Sequence, residues 1–165
     1  MTDQANHQSN SQANSQGYHQ PSRQHWLSVL ACAPYEAVLS HWQDLNLDPE
    51  CEVIRQPEIG LARIQGRVGG SGERFNFADT TVTRAAIRLA DGTTGYGYLQ
   101  GRNKHHALLI AVADALLQQN QGQGQLQTQL IAPLANLIKQ QQQQVAEQMA
   151  TTQVDFFTVV RGEDA

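Results

Sequence analysis

The pair Asp91-Gly92 lies between two runs in which apolar and polar residues alternate, and this commits the middle of the chain to an antiparallel hairpin. Successive strand residues point to opposite faces. In TVTRAAIRL at 81–89, Ala85, Ile87 and Leu89 share one face, while Arg84 and Arg88 share the other. In LARIQGRV at 61–68, Ala62, Ile64 and Val68 oppose Arg63, Gln65 and Arg67 in the same way. A two-residue type I′ loop at Asp91-Gly92 pairs Ala90 with Thr93. It therefore predicts Ile87 beside Tyr96 and Ala85 beside Tyr98 on the apolar face. On the arginine face it sets Arg88 opposite Gly95 and Ala86 opposite Gly97, so that a partner or anion can approach closely.

Charge is concentrated in the same region. Residues 55–104 hold seven Arg and one Lys against Glu58, Glu73, Asp79 and Asp91, a balance of +4 in a chain of net charge −4, so the rest carries −8. Nine of the eleven basic residues are Arg, the side chain suited to planar, two-pronged contacts with carboxylates and phosphates. Overall hydrophobic content is 40%, low for a globular chain, but the polar excess lies in a few Gln-rich pieces and leaves enough for one core. Cys32 and Cys51 lack the number and spacing of a disulfide framework or zinc site and read as free thiols of a reducing compartment. With no long apolar run and no basic-then-apolar start, the expectation is a soluble cytoplasmic protein.

Residues 1–21 are almost wholly Gln, Asn, Ser and small side chains, with Tyr18 the one sizeable apolar group, too polar to offset the entropy of ordering, and are expected to form a disordered tail before a single domain at 22–165. Ser22 is a candidate N-cap for a helix carrying Trp26, Val29 and Leu30. Pro34 can open a second helix with Val38, Leu39, Trp42 and Leu45 at helical spacing. Together these predict a helical hairpin whose tryptophans cover the sheet. A short strand is expected at 52–56, with a break at Pro57-Glu58. Asn103 can cap a helix reaching about Gln119 with Leu109, Val112, Ala113, Leu116 and Leu117 as its stripe, followed by a Gln/Gly connection to 129 and a helix opened by Pro133. VDFFTVV at 154–160 is apolar on both faces, which predicts burial within the sheet or against another subunit, with Phe156, Phe157, Val159 and Arg161 as interface residues.

Two stretches carry the chemical signals. The run RVGGSGER at 67–74 has Gly69, Gly70 and Gly72 to let backbone N–H groups converge and Arg67 and Arg74 to clamp an anion, against the plainer reading of a turn between strands. No Gly-Lys-Ser/Thr follows, so it is not a nucleotide P-loop. In GRNKHH at 101–106, a helix N-terminus with Arg102 and Lys104 attracts anions, and His106 is a candidate acid or base, although surface or capping histidines fit better. Neighbouring histidines point about 100° apart on a helix, which makes a shared metal awkward. No nucleophile and base pair stands out, so no catalytic residue and no metal ligand is assigned.

These pieces, taken in order, resemble one family. RQHW at 23–26, EVIRQPEIGL at 52–61, GRVGGSGERFNF at 66–77, TVTRAAIRL at 81–89, Gly101-Arg102 with Lys104 and His106-Ala107, Asp114-Ala115-Leu116, LIAPL at 130–134 and VDFFTVVRG at 154–162 are similar to the PhnG family, subunits of the bacterial carbon-phosphorus lyase complex. The resemblance implies a subunit acting with PhnH, PhnI and PhnL to make α-D-ribose 1-methylphosphonate 5-triphosphate from ATP and methylphosphonate, releasing adenine. It further implies nucleosidase chemistry on PhnI, S-adenosylmethionine and an iron-sulfur cluster on PhnJ, no cofactor on this chain, and a symmetric hetero-oligomer with more than one copy. Asn103 and Leu108 stand where the family usually has Asp and Glu.

The expected fold is α+β: an antiparallel sheet covered by helices on one face, its other face and the C-terminal strand used for assembly. Arg67, Gly69, Gly70, Gly72, Arg74, Arg84, Arg88, Arg102 and His106 are its candidate phosphate or partner contacts. Two other readings remain. One is a stand-alone enzyme or binding protein for a phosphorylated small molecule, centred on Arg67, Arg74 and His106. The other is a nucleic-acid module using Tyr96 and Tyr98, which the negative charge opposes.

Overall fold

A computed structural model describes residues 23–119 and 123–150. The N-terminal tail with Ser22, and the apolar segment with Phe156, Phe157, Val159 and Arg161, lie outside the described residues. In chain order the elements are α1 (Arg23–Cys32), α2 (Tyr35–Leu45), β1 (Cys51–Arg67), β2 (Arg74–Leu89), β3 (Thr94–Gln100), α3 (Lys104–Gln118), α4 (Gln123–Leu126), a wide π turn (Gln127–Ile131) and α5 (Ala132–Ala150). The strands form one antiparallel sheet in the order β1-β2-β3.

Helix α3 is the middle of the molecule. One side packs on the sheet, where Ala111, Val112 and Ala115 meet Ile87 and Leu89. Its other side meets Trp26, Leu30, Val38, Leu130 and Leu134 from α1, α2 and the C-terminal helical segment. The expected α3 stripe therefore widens to include Ala107 and Ile110, both fully buried. Trp26 is buried in the cluster that joins Ala85 and Leu99 of the sheet to α3, and Trp42 packs half-buried against the cluster of Ile87 and Leu89, so the tryptophans of the helical pair do face the sheet side, with α3 between.

Three boundaries differ from expectation. β1 runs unbroken through Pro57, and the disturbance there appears as register shifts between Val53 and Arg55 and between Arg55 and Glu58. β1 is an edge strand, where a missing N–H costs no ladder bond. Residues 123–129, expected as a loose connection, are helical and run on through Pro133. The π turn makes this possible: Ala132 N–H bonds to Gln127 O, so the widened spacing falls just before the residue that has no N–H to give. The Gln-rich part of α5 beyond Lys139 is exposed throughout.

The third difference is the hairpin loop. Leu89 N–H bonds to Thr93 O at 2.9 Å and Gly92 N–H to Leu89 O at 2.9 Å, so the loop is Ala90-Asp91-Gly92, three residues rather than two. A type I′ turn needs positive φ at both central residues, but only Gly92, at +89°, has it. Asp91 instead keeps an ordinary φ and turns its carboxylate onto Thr93 N–H (2.9 Å) and Thr93 Oγ1 (2.8 Å). These bonds, with one from Gln119 Nε2, hold the Asp91 carboxyl below the usual range.

One residue of slip reverses a strand's faces. Ile87 now pairs with Gly95 and Ala85 with Gly97, while Ala86 pairs with Tyr96 and Arg84 with Tyr98. The expected pairing is thus corrected: both tyrosines lie on the arginine face and are about half exposed, and both glycines face α3. α3 needs them there. A Cβ on Gly97 would fall 1.8 Å from Ala107 O, and one on Gly95 would fall 1.9 Å from Ala111 O.

Candidate functional site

On the open face of the sheet the arginines meet acids, two of the pairs across the strands and one within β1. Arg84 Nε lies 2.6 Å from Glu58 Oε1, Arg55 Nη2 3.4 Å from the same oxygen, and Arg88 Nη1 3.8 Å from Glu52 Oε2. Tyr96 and Tyr98 stand among them. Surface pairs of this kind contribute only about 0–1 kcal/mol each, but they also quench the positive field a free anion would seek. Arg84 and Arg88 are thereby engaged by the chain's own carboxylates.

Past Val82, which pairs with Gln100, β3 ends and β1-β2 continue alone as a two-stranded arm. At its tip Arg67 pairs directly with Arg74, and Val68–Gly70 with Ser71 and Gly72 make the turn. Gly69 and Gly70 have φ of +60° and +79°, and Gly72 N–H bonds to Val68 O at 3.0 Å. The glycine run is thus the turn that closes this arm. All of residues 67–71 are exposed. Neither Arg67 nor Arg74 enters an ion pair among the described residues, whereas Arg63 nearby lies 3.7 Å from Asp79.

Expected phosphate contacts are accordingly spread out. Arg74 and Arg84 lie ten residues apart on one strand, about 30 Å at the rise of a strand. Arg102 is exposed beyond β3, at the foot of α3. There Asn103 Oδ1 caps α3 by accepting from His106 N–H at 3.0 Å, as its position predicts. Of the two histidines expected at the surface or in a capping role, His105 is exposed, whereas the His106 side chain is buried against the C-terminal turn of α1. Its Nε2 donates to Leu30 O at 2.9 Å, and its ring tilts against Tyr35 with centroids 5.6 Å apart. Burial lowers the His106 pKa, with the bond to Leu30 O and the charge of Glu36 opposing. A histidine so placed ties α1 to α3 and has little to offer as a proton carrier.

The most connected polar group is one that sequence reasoning left unassigned. Asp114, fully buried on α3, accepts from Arg23 Nε (3.0 Å) and Nη2 (2.6 Å), from Trp26 Nε1 (3.0 Å), from Tyr96 N–H (3.0 Å) and from Gln118 Nε2 (3.3 Å). The carboxylate raises the Arg23 pKa further, and the guanidinium also lies 5.6 Å from the Tyr96 ring centroid. Tyr96 N–H points out of the edge of the sheet. Gln118 Nε2 also donates to Thr94 O (2.9 Å) on the same edge, so α3 covers part of the β3 edge with side chains. The signal was available: an acid inside an apolar helical stripe must be satisfied, and Arg23 and Trp26, three apart on α1, are the donors.

A cleft of about 290 Å³ opens between α2, the following loop and α3, lined by Leu39, Trp42, Leu108 and Val112 with Asp48 and His105. Among the described residues no group of three or more His, Cys, Asp and Glu converges as a metal site, and no helix is long and apolar enough to cross a membrane.

Comparison with known proteins covers almost all of the chain. Residues 21–162 match the family model described as phosphonate metabolism protein PhnG. The alpha-D-ribose 1-methylphosphonate 5-triphosphate synthase subunit PhnG of Rhizobium meliloti (strain 1021) is 37% identical over 142 residues, spanning 86% of this chain and 90% of the relative. The matched span takes in residues 23–26, 66–77, 81–89 and 101–107, now seen as the Asp114 partners, the arm, the central strand and the α3 cap. The chain belongs to the PhnG family of phosphonate metabolism proteins.

Proposed function

We propose that this protein is an accessory subunit of α-D-ribose 1-methylphosphonate 5-triphosphate synthase in the catabolism of organic phosphonates, working in the cytoplasm within a hetero-oligomer that includes PhnH-, PhnI-, PhnJ- and PhnL-like proteins. The observation that carries this reading is the 37% identity, over most of both chains, to a relative named as a subunit of that synthase. In the reaction the C1′–N9 bond of ATP breaks, a C1′–O bond to methylphosphonate forms, and adenine leaves with a proton. Such a step calls for an acid at the base and cationic clamps on the triphosphate.

The described side chains fit support rather than chemistry. Asp114 is engaged by five donors, His106 holds a backbone carbonyl, and Glu52 and Glu58 hold arginines. The exposed cations Arg67, Arg74 and Arg102 remain for partner or phosphate contact. Cys32 and Cys51 are the chain's two cysteines, both exposed, too few for an iron-sulfur cluster that takes three or four thiolates. The cluster and S-adenosylmethionine chemistry therefore belong to a partner in this reading.

The test is adenine release from ATP and methylphosphonate, comparing the PhnI-like partner alone, this chain alone, and the full set with and without it. A synthase that needs the chain, with the chain inert by itself, supports the assignment. Turnover of a phosphorylated substrate by the chain alone would replace it with a stand-alone enzyme.

A further inference from the structure

We infer that the β1-β2 arm is the chain's docking finger, and that its occupant is a protein surface presenting carboxylates within an apolar groove. The inference rests on the subunit reading above and names the part of the chain that makes the contact.

The arm has no covering layer. Beyond Val82 neither α3 nor β3 accompanies it, and an isolated two-stranded ribbon is only marginally stable in water. Yet on the face it shares with Ile64 and Gly66 it carries large apolar side chains into solvent: Val68 is 70% exposed and Phe77 72%, with Ile64 and Phe75 also exposed. The Phe75 and Phe77 rings meet edge to face at 6.4 Å, and Phe75 lies over Gly66, so the apolar surface is continuous there. Taking about 150–250 Å² for a whole aromatic side chain, these four groups expose on the order of 400 Å². That is about half of what each partner contributes to a standard interface, and a patch of this size on a monomer commonly marks a contact.

Charge selects the occupant. Arg67 and Arg74 are directly opposite each other across the strands, a like-charge pairing that is unfavourable unless an anion relieves it, and among the described residues no acid does so. A small solvated anion would satisfy the arginines but would leave the phenylalanines in water. A second copy meeting arm to arm would bring four of these arginines together against only the two Glu73 carboxylates of the tips, since the nearby Asp79 is already paired with Arg63. A partner groove with carboxylates and apolar walls satisfies both features at once.

The experiment uses the full chain, tagged and coexpressed with the other synthase subunits, and compares Phe75→Ser/Phe77→Ser and Arg67→Glu/Arg74→Glu with wild type by affinity capture and titration. Thermal unfolding monitors the fold, and the charge-reversal pair at the exposed tip keeps the test valid if the phenylalanine pair fails to fold. Each double variant is expected to weaken capture by at least about 30-fold, the size of a single interface hot spot, without lowering the unfolding midpoint. Raised ionic strength should speed dissociation of the wild type. If wild type and both variants are captured equally, the docking inference is overturned while the subunit reading stands. If wild type itself is not captured, the subunit reading falls. A purified dimer that the arm variants convert to monomer would make a second copy the occupant. ATP or inorganic phosphate binding by the isolated chain, lost in the charge-reversal variant with capture intact, would make the site an anion site. Either result would overturn the inference.

Discussion

Replacing Asp114 by Ala should cost about 4 kcal/mol of stability, and the structure shows where this comes from. Trp26 Nε1 and Tyr96 N–H each lose an acceptor at 3.0 Å on a fully buried carboxylate. An orphaned buried donor costs about 1–3 kcal/mol, so the two together account for about 2–6. Arg23 adds little to the sum because 42% of its side chain is in water, which can hydrate the freed guanidinium. Urea unfolding followed by tryptophan fluorescence is the natural assay, with Trp26 beside the lesion and Trp42 as a second reporter. With a slope of about 2 kcal/mol per molar urea, the midpoint should fall by about 2 M. Since small domains hold only about 5–15 kcal/mol in total, the variant approaches the edge of folding. Arg23→Ala combined with Asp114→Ala should cost scarcely more than Asp114→Ala alone, since both remove the same contact. A midpoint within about 0.3 M of wild type, or strict additivity of the two substitutions, would refute the account of Asp114 as the common acceptor of three elements.

Gly97→Ala should be more disruptive than its size suggests, because the new Cβ meets Ala107 O; a loss of about 3 kcal/mol or more is expected in the same urea assay. Gly92→Ala, in open space but at φ +89°, should cost about 1 kcal/mol. Asn103→Ala removes the α3 cap and should cost about 1 kcal/mol, measurable as a midpoint shift. His106 has a folded pKa below its unfolded value of about 6.5, so the unfolded chain binds its proton first. Its contribution is complete above that value and is lost as pH falls toward the folded pKa; His106→Gln should flatten the stability profile as pH falls below about 6.5. An unchanged slope would show that other groups govern acid sensitivity.

Alternation in the chain identified the faces of β2 correctly, and Asn103 and Pro34 marked two helix starts, because those signals depend on local geometry alone. The failures have one physical source, competition between a local preference and a nearby side chain. Asp91-Gly92 favours a two-residue turn in isolation, but the Asp91 carboxylate prefers Thr93. Pro57 breaks a strand and Pro133 begins a helix in isolation, but an edge strand absorbs the first and a π turn lets helix precede the second. At the candidate site, Arg67 and Arg74 were legible as a pair from the glycine turn between them. The engagement of Arg84 and Arg88 by Glu58 and Glu52 was not, since it depends on the β1-β2 register, and the three bulges in that register leave no simple pattern in the sequence.

The three-residue loop and the Gly95-x-Gly97 spacing are one device, although they stand at opposite ends of a turn. Shortening the loop by a residue would rotate β3 and drive Tyr96 and Tyr98 into the backbone of α3, where even a methyl group has no room. Replacing the glycines would force the same helix off the sheet while leaving the loop intact. A chain of this architecture can therefore drift freely in the identity of the tyrosines, yet it cannot gain or lose a residue between Leu89 and Thr93 without redesigning a helix interface it does not touch.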